Sequence, residues 1–407
     1  MDPTTGKVLN KIQFLSLALL VVFTPWTYWP INNWLNIPFY DLGFTLLIIS
    51  FVLDLLFPRL QVPEIRPGDA ALLLFGAWFA FNSAYLGVWG AAKPLIQMLA
   101  LFYVLVHGRF EKAQLELLPG LLVLGGIISS LIGIYQYFFV SHLLVASSFG
   151  NPNLFSGYLS LILPLSFSLW LHPKRAVKLF GIAATVLLSF AMTITLTRMG
   201  WLVAIGGLAG FAIMKDRRLL VAALGLMLIC GMTVNNAANR FGQISQITDV
   251  KGAVVEPAGN KPVQNSVESR VSLWRFALRE FQGSPLTGIG FGNFETRLAQ
   301  YLKANPQEGI HFNGVEDTHN AYVRFLVELG LPGLILFLLV LGLWFGPPGI
   351  RILFRSGTAS YLEAGLFWGI SAFVLHNLTN NLFTAVPTGY GFWVALGALR
   401  QLNSSGG

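Results

Sequence analysis

The sequence predicts an all-α, polytopic membrane protein with about twelve transmembrane helices and one large helical loop outside the membrane. Three observations predict it. Of 407 residues, 55% are hydrophobic and only 11% charged, where a soluble domain carries about 25% charge. The apolar runs reach the roughly 20 residues that a helical span needs, and they lack the ~10-residue alternation of an outer-membrane barrel. Lys and Arg gather in short connections on one side, as the positive-inside rule requires.

The runs fall at about 12–28, 39–57, 69–86, 94–106, 117–140, 154–171, 179–196, 200–214, 219–234, 321–345, 361–378 and 384–399. In lipid each run must satisfy its own backbone groups, so each reads as a helix. The first follows Lys7 and Lys11 and meets an aromatic belt, Trp26, Tyr28 and Trp29, rather than a small-residue cleavage site. It reads as a retained span. With the N-terminus in the cytoplasm, the inner connections carry Lys7 and Lys11, Arg59 and Arg66, Arg109 and Lys112, Lys174, Arg175 and Lys178, Lys215, Arg217 and Arg218, Arg351 and Arg355, and Arg400. The outer connections near Asn32, Gly87, Ser147 and Thr379 carry almost none. Three parts follow: helices one to nine over 1–234, an outer loop over 235–320, and the last three helices with a short inner tail over 321–407.

The net charge of +8 is explained by topology. No basic stripe with interleaved aromatics supports nucleic-acid binding. The single cysteine, Cys230, excludes an internal disulfide and a cysteine metal site. No self-similarity supports an inverted-repeat transporter.

Chemistry-bearing residues gather around the loop. Its stretch 249–264, with Gly252, Pro257, Gly259 and Pro262, reads as irregular. From 269 to 282, Arg270, Leu273, Trp274, Ala277, Leu278 and Phe281 fall on one helical face, with Ser272, Arg275 and Arg279 opposite. A glycine-rich turn follows at 284–292, then a second short helix over 293–304. The turn's Gly288-x-Gly290-x-Gly292 follows no strand and is weak as a nucleotide fingerprint. The loop ends in Glu316-Asp317-Thr318-His319-Asn320-Ala321-Tyr322, where polar chain runs straight into an apolar helix.

Asp317 or Thr318 can cap that helix. Its dipole disfavours an imidazolium at His319, and a neutral imidazole is what a general base requires. The plain alternative is an interfacial histidine bonded to a loop carbonyl. Arg198 lies between two apolar runs at the outer boundary, where a fixed charge is expensive and usually functional; snorkelling to headgroups is its alternative. Arg270 sits on the apolar face of its helix, suited to bidentate phosphate binding or to an ion pair with Glu268 or Asp317. Lys93-Pro94 opens a span with a cation where the dipole does not welcome it, so a bound anion is expected beside it. Arg324 and Glu328, i and i+4, read as a neutralising pair. No outer cluster of metal ligands and no phosphate-binding Gly-x-x-x-x-Gly-Lys loop appears. An outer histidine with several cations suits chemistry on a lipid-linked polyanion.

These residues form a pattern that resembles the O-antigen ligase/polymerase family of bacterial membrane glycosyltransferases. From about 150 to 382 its elements occur in order: Asn151-Pro152-Asn153 before a span, Thr197-Arg198-x-Gly200, Arg270-x-x-x-Trp274-x-x-Ala277 with Pro285-Leu286-x-Gly288-x-Gly290, and His319-Asn320-x-Tyr322 with Glu328-x-Gly330. His376-Asn377 is a weaker match.

The resemblance implies a GT-C-like fold in the bacterial inner membrane, with both termini cytoplasmic and the site periplasmic. It implies a glycan donor on undecaprenyl diphosphate, a lipid A–core or other glycan acceptor, inversion at the anomeric carbon, and no metal or cofactor. Arg198 and Arg270 would then hold the diphosphate and stabilise its leaving charge, and His319 would be the general base. Lys93, Asn151, Asn153, Trp274 and Tyr322 are expected at the substrate. Compact length and loop suit a ligase. A polymerase or a protein O-oligosaccharyltransferase is the alternative within the family, and a solute transporter outside it.

Overall fold

The structure, a computed structural model, describes residues 3–26, 39–56, 65–140, 145–233, 266–312, 315–354 and 359–404. The expectations for residues 27–29 of the aromatic belt, Asn32, Arg59, the stretch 249–264 and Arg355 lie outside the described residues.

Every regular element among the described residues is helical. In order they are α1 (Pro3–Phe23), α2 (Phe39–Leu56), α3 (Pro67–Tyr85), α4 (Trp89–His107), α5 (Lys112–Phe139), α6 (Pro152–Ser168), α7 (Arg175–Ile194), α8 (Arg198–Lys215), α9 (Arg218–Thr233), α10 (Ser266–Gly283), α11 (Phe294–Ala304), α12 (Ala321–Phe354), α13 (Tyr361–His376) and α14 (Val386–Ser404). A helix stands on each stretch read as a span. Among the described residues five are both long and apolar enough to cross a membrane: Lys112–Phe139, Pro152–Leu171, Arg175–Ile194, Arg198–Lys215 and Ala321–Phe354. Gly43–Asp54, Ala92–His107 and Arg218–Met232 are apolar but shorter. The chain is a multi-pass membrane protein.

The centre of the bundle is α6. From Phe155 to Ser168 every side chain on it is buried, and α13, α8, α7, α5 and α14 surround it. A helix apolar all round is what such a position demands. Its start is capped by Asn151, whose Oδ1 accepts from the Asn153 N–H at 2.7 Å. Pro152 occupies the first helical position, where a missing N–H costs nothing.

The described part of the loop is fastened to a break in α12. Pro332 has no N–H to give the Glu328 carbonyl one turn back. Gly330 departs from the helix at φ 72° and ψ −180°, a region essentially confined to glycine. The carbonyls freed there take donors from elsewhere. Val327 O accepts from Ile289 N at 3.0 Å, Glu328 O from Gly290 N at 2.9 Å, and Leu329 O from the Trp78 indole at 2.9 Å. In return Leu331 N donates to Pro285 O at 2.9 Å. The glycine-rich turn is therefore a latch on a broken membrane helix. Its glycines stand at φ 68°, 93° and 87° because the chain must lie flat on that break.

Glu328 closes the same joint. Fully buried, it accepts from Phe294 N at 3.1 Å and from Arg324 Nε at 2.9 Å. Arg324 also reaches Glu295 at 3.4 Å. The expected Arg324–Glu328 pair thus extends to the first turn of α11 and ties it to α12.

One face of α10 differs from expectation. Leu273 and Ala277 are buried as predicted, and so is Phe276, while Leu278 is 53% exposed. Tertiary packing decides this: Phe276 meets Phe294 of α11 edge-on at 5.4 Å.

Candidate active site

Three chain reversals bring the candidate residues together. The first joins α7 to α8. Leu196 takes a left-handed φ of 54°, and Arg198 becomes the first residue of α8. Gly200 lets this turn press on α6: a Cβ there would stand 2.9 Å from Ser156 Cβ and 2.5 Å from Thr197 Oγ1. The Thr197-Arg198-x-Gly200 pattern is thus a close helix contact with a half-buried arginine at its edge.

The second reversal is the junction at His319, which sits at φ 46°. Asp317 sets that turn, its Oδ1 accepting from the His319 backbone N–H at 2.8 Å. The same carboxylate lies 3.4 Å from the ring Nδ1, and Glu316 Oε2 lies 3.7 Å from Nε2. The imidazole, one-fifth exposed, is held between two carboxylates. The His319 ring beside it holds the Glu316 carboxyl below its ordinary value, against the opposing effect of burial.

Neither residue named as a cap by sequence fills that role. Asn320 caps α12, accepting from Tyr322 N at 3.0 Å and Val323 N at 3.1 Å. Asp317 is spent on His319, and the Thr318 hydroxyl donates to Asn320 O at 2.9 Å. The third reversal, after α13, supports the junction from beneath. Ala321 N donates to the carbonyls of Asn377 and Asn380 at 3.0 and 3.1 Å, and the Thr318 hydroxyl reaches Asn381 Oδ1 at 3.3 Å.

Arg270, near the start of α10, joins this group. Its guanidinium is pushed below its ordinary value by burial first and by the charge of Arg198 second, with Glu316 and Asp317 acting the other way. Neither Glu268 nor Asp317 forms an ion pair with it among the described residues. Its charge is also felt at buried His376 in α13, whose Nδ1 stands 3.3 Å from the Ser160 hydroxyl of α6. Arg198, Arg270, Glu316, Asp317 and His319 therefore share one neighbourhood. Arg198 opens α8, where the dipole is also positive, and with the Arg270 guanidinium added the spot is anion-seeking.

The remaining expected residues divide. The Trp274 indole donates to Thr318 O at 2.8 Å and so fixes α10 against the junction. Asn151 is spent on its cap. The Tyr322 hydroxyl donates to Val374 O at 2.9 Å. Tyr322→Phe should therefore cost about 1 kcal/mol of thermal stability in detergent and leave transfer within about twofold; a large loss of transfer at unchanged stability would give the hydroxyl a substrate role. Lys93 does not open its helix but lies in the second turn of α4, and in place of the bound anion expected beside it stands the Asp41 carboxylate of α2, at 2.7 Å. Sequence reading missed Glu316 and Asp317 as partners of His319, although Asp two residues ahead is the signature of an Asx turn.

Comparison with known proteins covers much of this neighbourhood. Residues 183–338 match the family model described as O-Antigen ligase. A Rickettsia felis protein named "Putative polysaccharide ligase" is 33% identical over 81 residues, which is 18% of this chain and 19% of that relative. An uncharacterized Haemophilus influenzae protein is 22% identical over 196 residues, 47% of this chain and 48% of its own length. The chain thus spans about half or less of the curated relatives it matches. Arg198, α10, the latch and His319 all fall within the stretch that matches the O-Antigen ligase family model, and the resemblance read from the sequence is borne out.

Proposed function

We propose that the chain is an O-antigen ligase-type glycosyltransferase on a GT-C-like scaffold of about twelve spans. It moves a glycan from undecaprenyl diphosphate to a lipid A–core acceptor at the periplasmic face of the inner membrane. The acceptor hydroxyl attacks the anomeric carbon opposite the leaving group, and His319 takes its proton. The bond from that carbon to the diphosphate oxygen breaks, and Arg198 and Arg270 take up the charge left behind. Inversion results, without a metal. Asp317 and Glu316 orient the ring and balance the charge it gains. Positioning and electrostatic stabilisation then supply much of the rate.

The observation that carries this reading is the meeting of Arg198 and Arg270. They come from a membrane helix and from the loop, and they repel one another beside the His319 turn. A diphosphate relieves that repulsion and matches the guanidinium fork. Arg198→Ala and Arg270→Ala should each weaken binding of the lipid-linked donor by roughly 10- to 100-fold, as losing a charge-assisted contact of about 1.5–3 kcal/mol implies. Lysine at either position should restore only part, being a point charge. Unchanged donor affinity in both alanine variants would reject the role. Reconstitution with undecaprenyl-diphosphate glycan and candidate acceptors then separates a ligase from a polymerase by the product formed.

A further inference from the structure

Across α10 from Arg270 lies a second cleft that the transfer chemistry does not use. It encloses about 360 Å³ and is lined by Ser272, Arg275, Phe276, Arg279, Tyr301, Glu308 and Phe312. Small-ligand sites begin at about 300 Å³ and combine apolar walls with a few placed polar groups. At 100° per residue, Arg275 and Arg279 point about 140° and 180° away from Arg270, so roughly one helix diameter, about 10 Å, separates the two sites.

The lining has a definite chemistry. The Arg279 guanidinium stacks 4.0 Å over the Tyr301 ring and 5.0 Å from that of Phe276. Such stacking fixes the plane of the fork while leaving its edge for a ligand. Among the described residues neither Arg275 nor Arg279 forms an ion pair, and neither does Glu308. Two cations against one anion leave the cleft net positive. A bare phosphate would meet Glu308 as a like charge and would have no use for the aromatic walls. A sugar ring bearing an anionic group satisfies every part. Its anion meets the arginines, its hydroxyls donate to Glu308 and Ser272, and its apolar face lies on the ring of Phe312.

We propose that the cleft between α10, α11 and the turn Pro306–His311 is a subsite for an anionic pyranose, a sugar carrying a phosphate or carboxylate. On the glycan-transfer reading, on which its biological ligand rests, it grips one of the two glycans a helix width from the reacting bond. Donor or acceptor, the shared chemistry is the same.

The test uses the full chain in detergent, with mannose 6-phosphate, mannose and inorganic phosphate as probes in equilibrium dialysis. Mannose 6-phosphate should bind at least about tenfold more tightly than either other probe. Arg275→Gln, which disturbs no ring stacking, should weaken it severalfold, and Arg275→Gln with Arg279→Gln at least about tenfold. Arg270→Ala and His319→Asn should leave it unchanged, since Arg270 and the junction lie on the other side of α10. Equal binding of inorganic phosphate, or unchanged affinity in the double variant, would overturn the subsite. Loss of transfer in His319→Asn is read separately, so a failed subsite and a failed transfer mechanism give different results.

Discussion

His319→Asn should lose at least about a hundredfold in glycan transfer, the lower end of what a positioned acid–base group contributes, while donor binding stays within about twofold. Asparagine is the informative substitution because His319 sits at φ 46°. A left-handed backbone strains most residues, and asparagine tolerates it. Alanine would remove the base and strain the turn together, so lost activity in His319→Ala alone would mix two causes. Asparagine keeps the turn and cannot take the proton. The Asp317 carboxylate still receives the backbone N–H at 2.8 Å in that variant, and Asn320 still caps α12. Transfer is measured by the shift of labelled acceptor after reconstitution with lipid-linked donor, and donor affinity by direct binding to the same preparation. Normal turnover in His319→Asn would sink the general-base role and point to Asp317 or Glu316, the carboxylates 3.4 and 3.7 Å from the ring.

What sequence could and could not reveal follows the range of the interactions. Apolar runs are local, so each helix on a predicted span was legible, and Arg324–Glu328 was legible because one helical turn joins them. The grouping of Arg198, Arg270 and His319 was approachable only through resemblance, since no spacing rule links residues on three separate elements. Lys93 was read as wanting an anion; its partner, Asp41, lies on another helix and leaves no local trace. The Phe276–Leu278 exchange on α10 has the same origin, because α11 decides which side is covered. The glycine-rich turn was the least legible of all. Gly288, Gly290 and Gly292 suggest phosphate cradling in isolation, yet the N–H groups of Ile289 and Gly290 go to carbonyls of α12 and that of Gly288 to Ser284 within the turn. Even the helix cap misled, because Asp317, Thr318 and Asn320 are all good caps and only the fold shows which one is spent elsewhere.

Gly330→Ala should also damage transfer, although residue 330 touches no reacting group. Two costs combine. A side chain at φ 72° and ψ −180° is strained by about 1–3 kcal/mol. Its Cβ would also collide with the backbone carbonyl of Leu286, where the latch crosses the helix. Such overpacking costs about 1–3 kcal/mol more, and a backbone atom cannot swing aside as a side chain can. The simplest relief is to lift 285–290 off α12. That breaks the bonds from Ile289 N, Gly290 N and Leu331 N, and it loosens α11, whose first turn hangs on Glu328. With the latch released, α10 is held by the Trp274 indole and by its own packing on α12, and Arg270 is less firmly fixed beside Arg198. Amide exchange over 285–304 should rise strongly in Gly330→Ala, with transfer falling at least tenfold while total helix content stays close to normal. Gly342→Ala is the control on the same helix. A Cβ there meets nothing within 4 Å, so the change should be neutral or slightly stabilising. Wild-type exchange over 285–304 in Gly330→Ala would show that the latch does not hold the loop, and the loop's grip on Arg270 would then have to come from the α10 contacts alone.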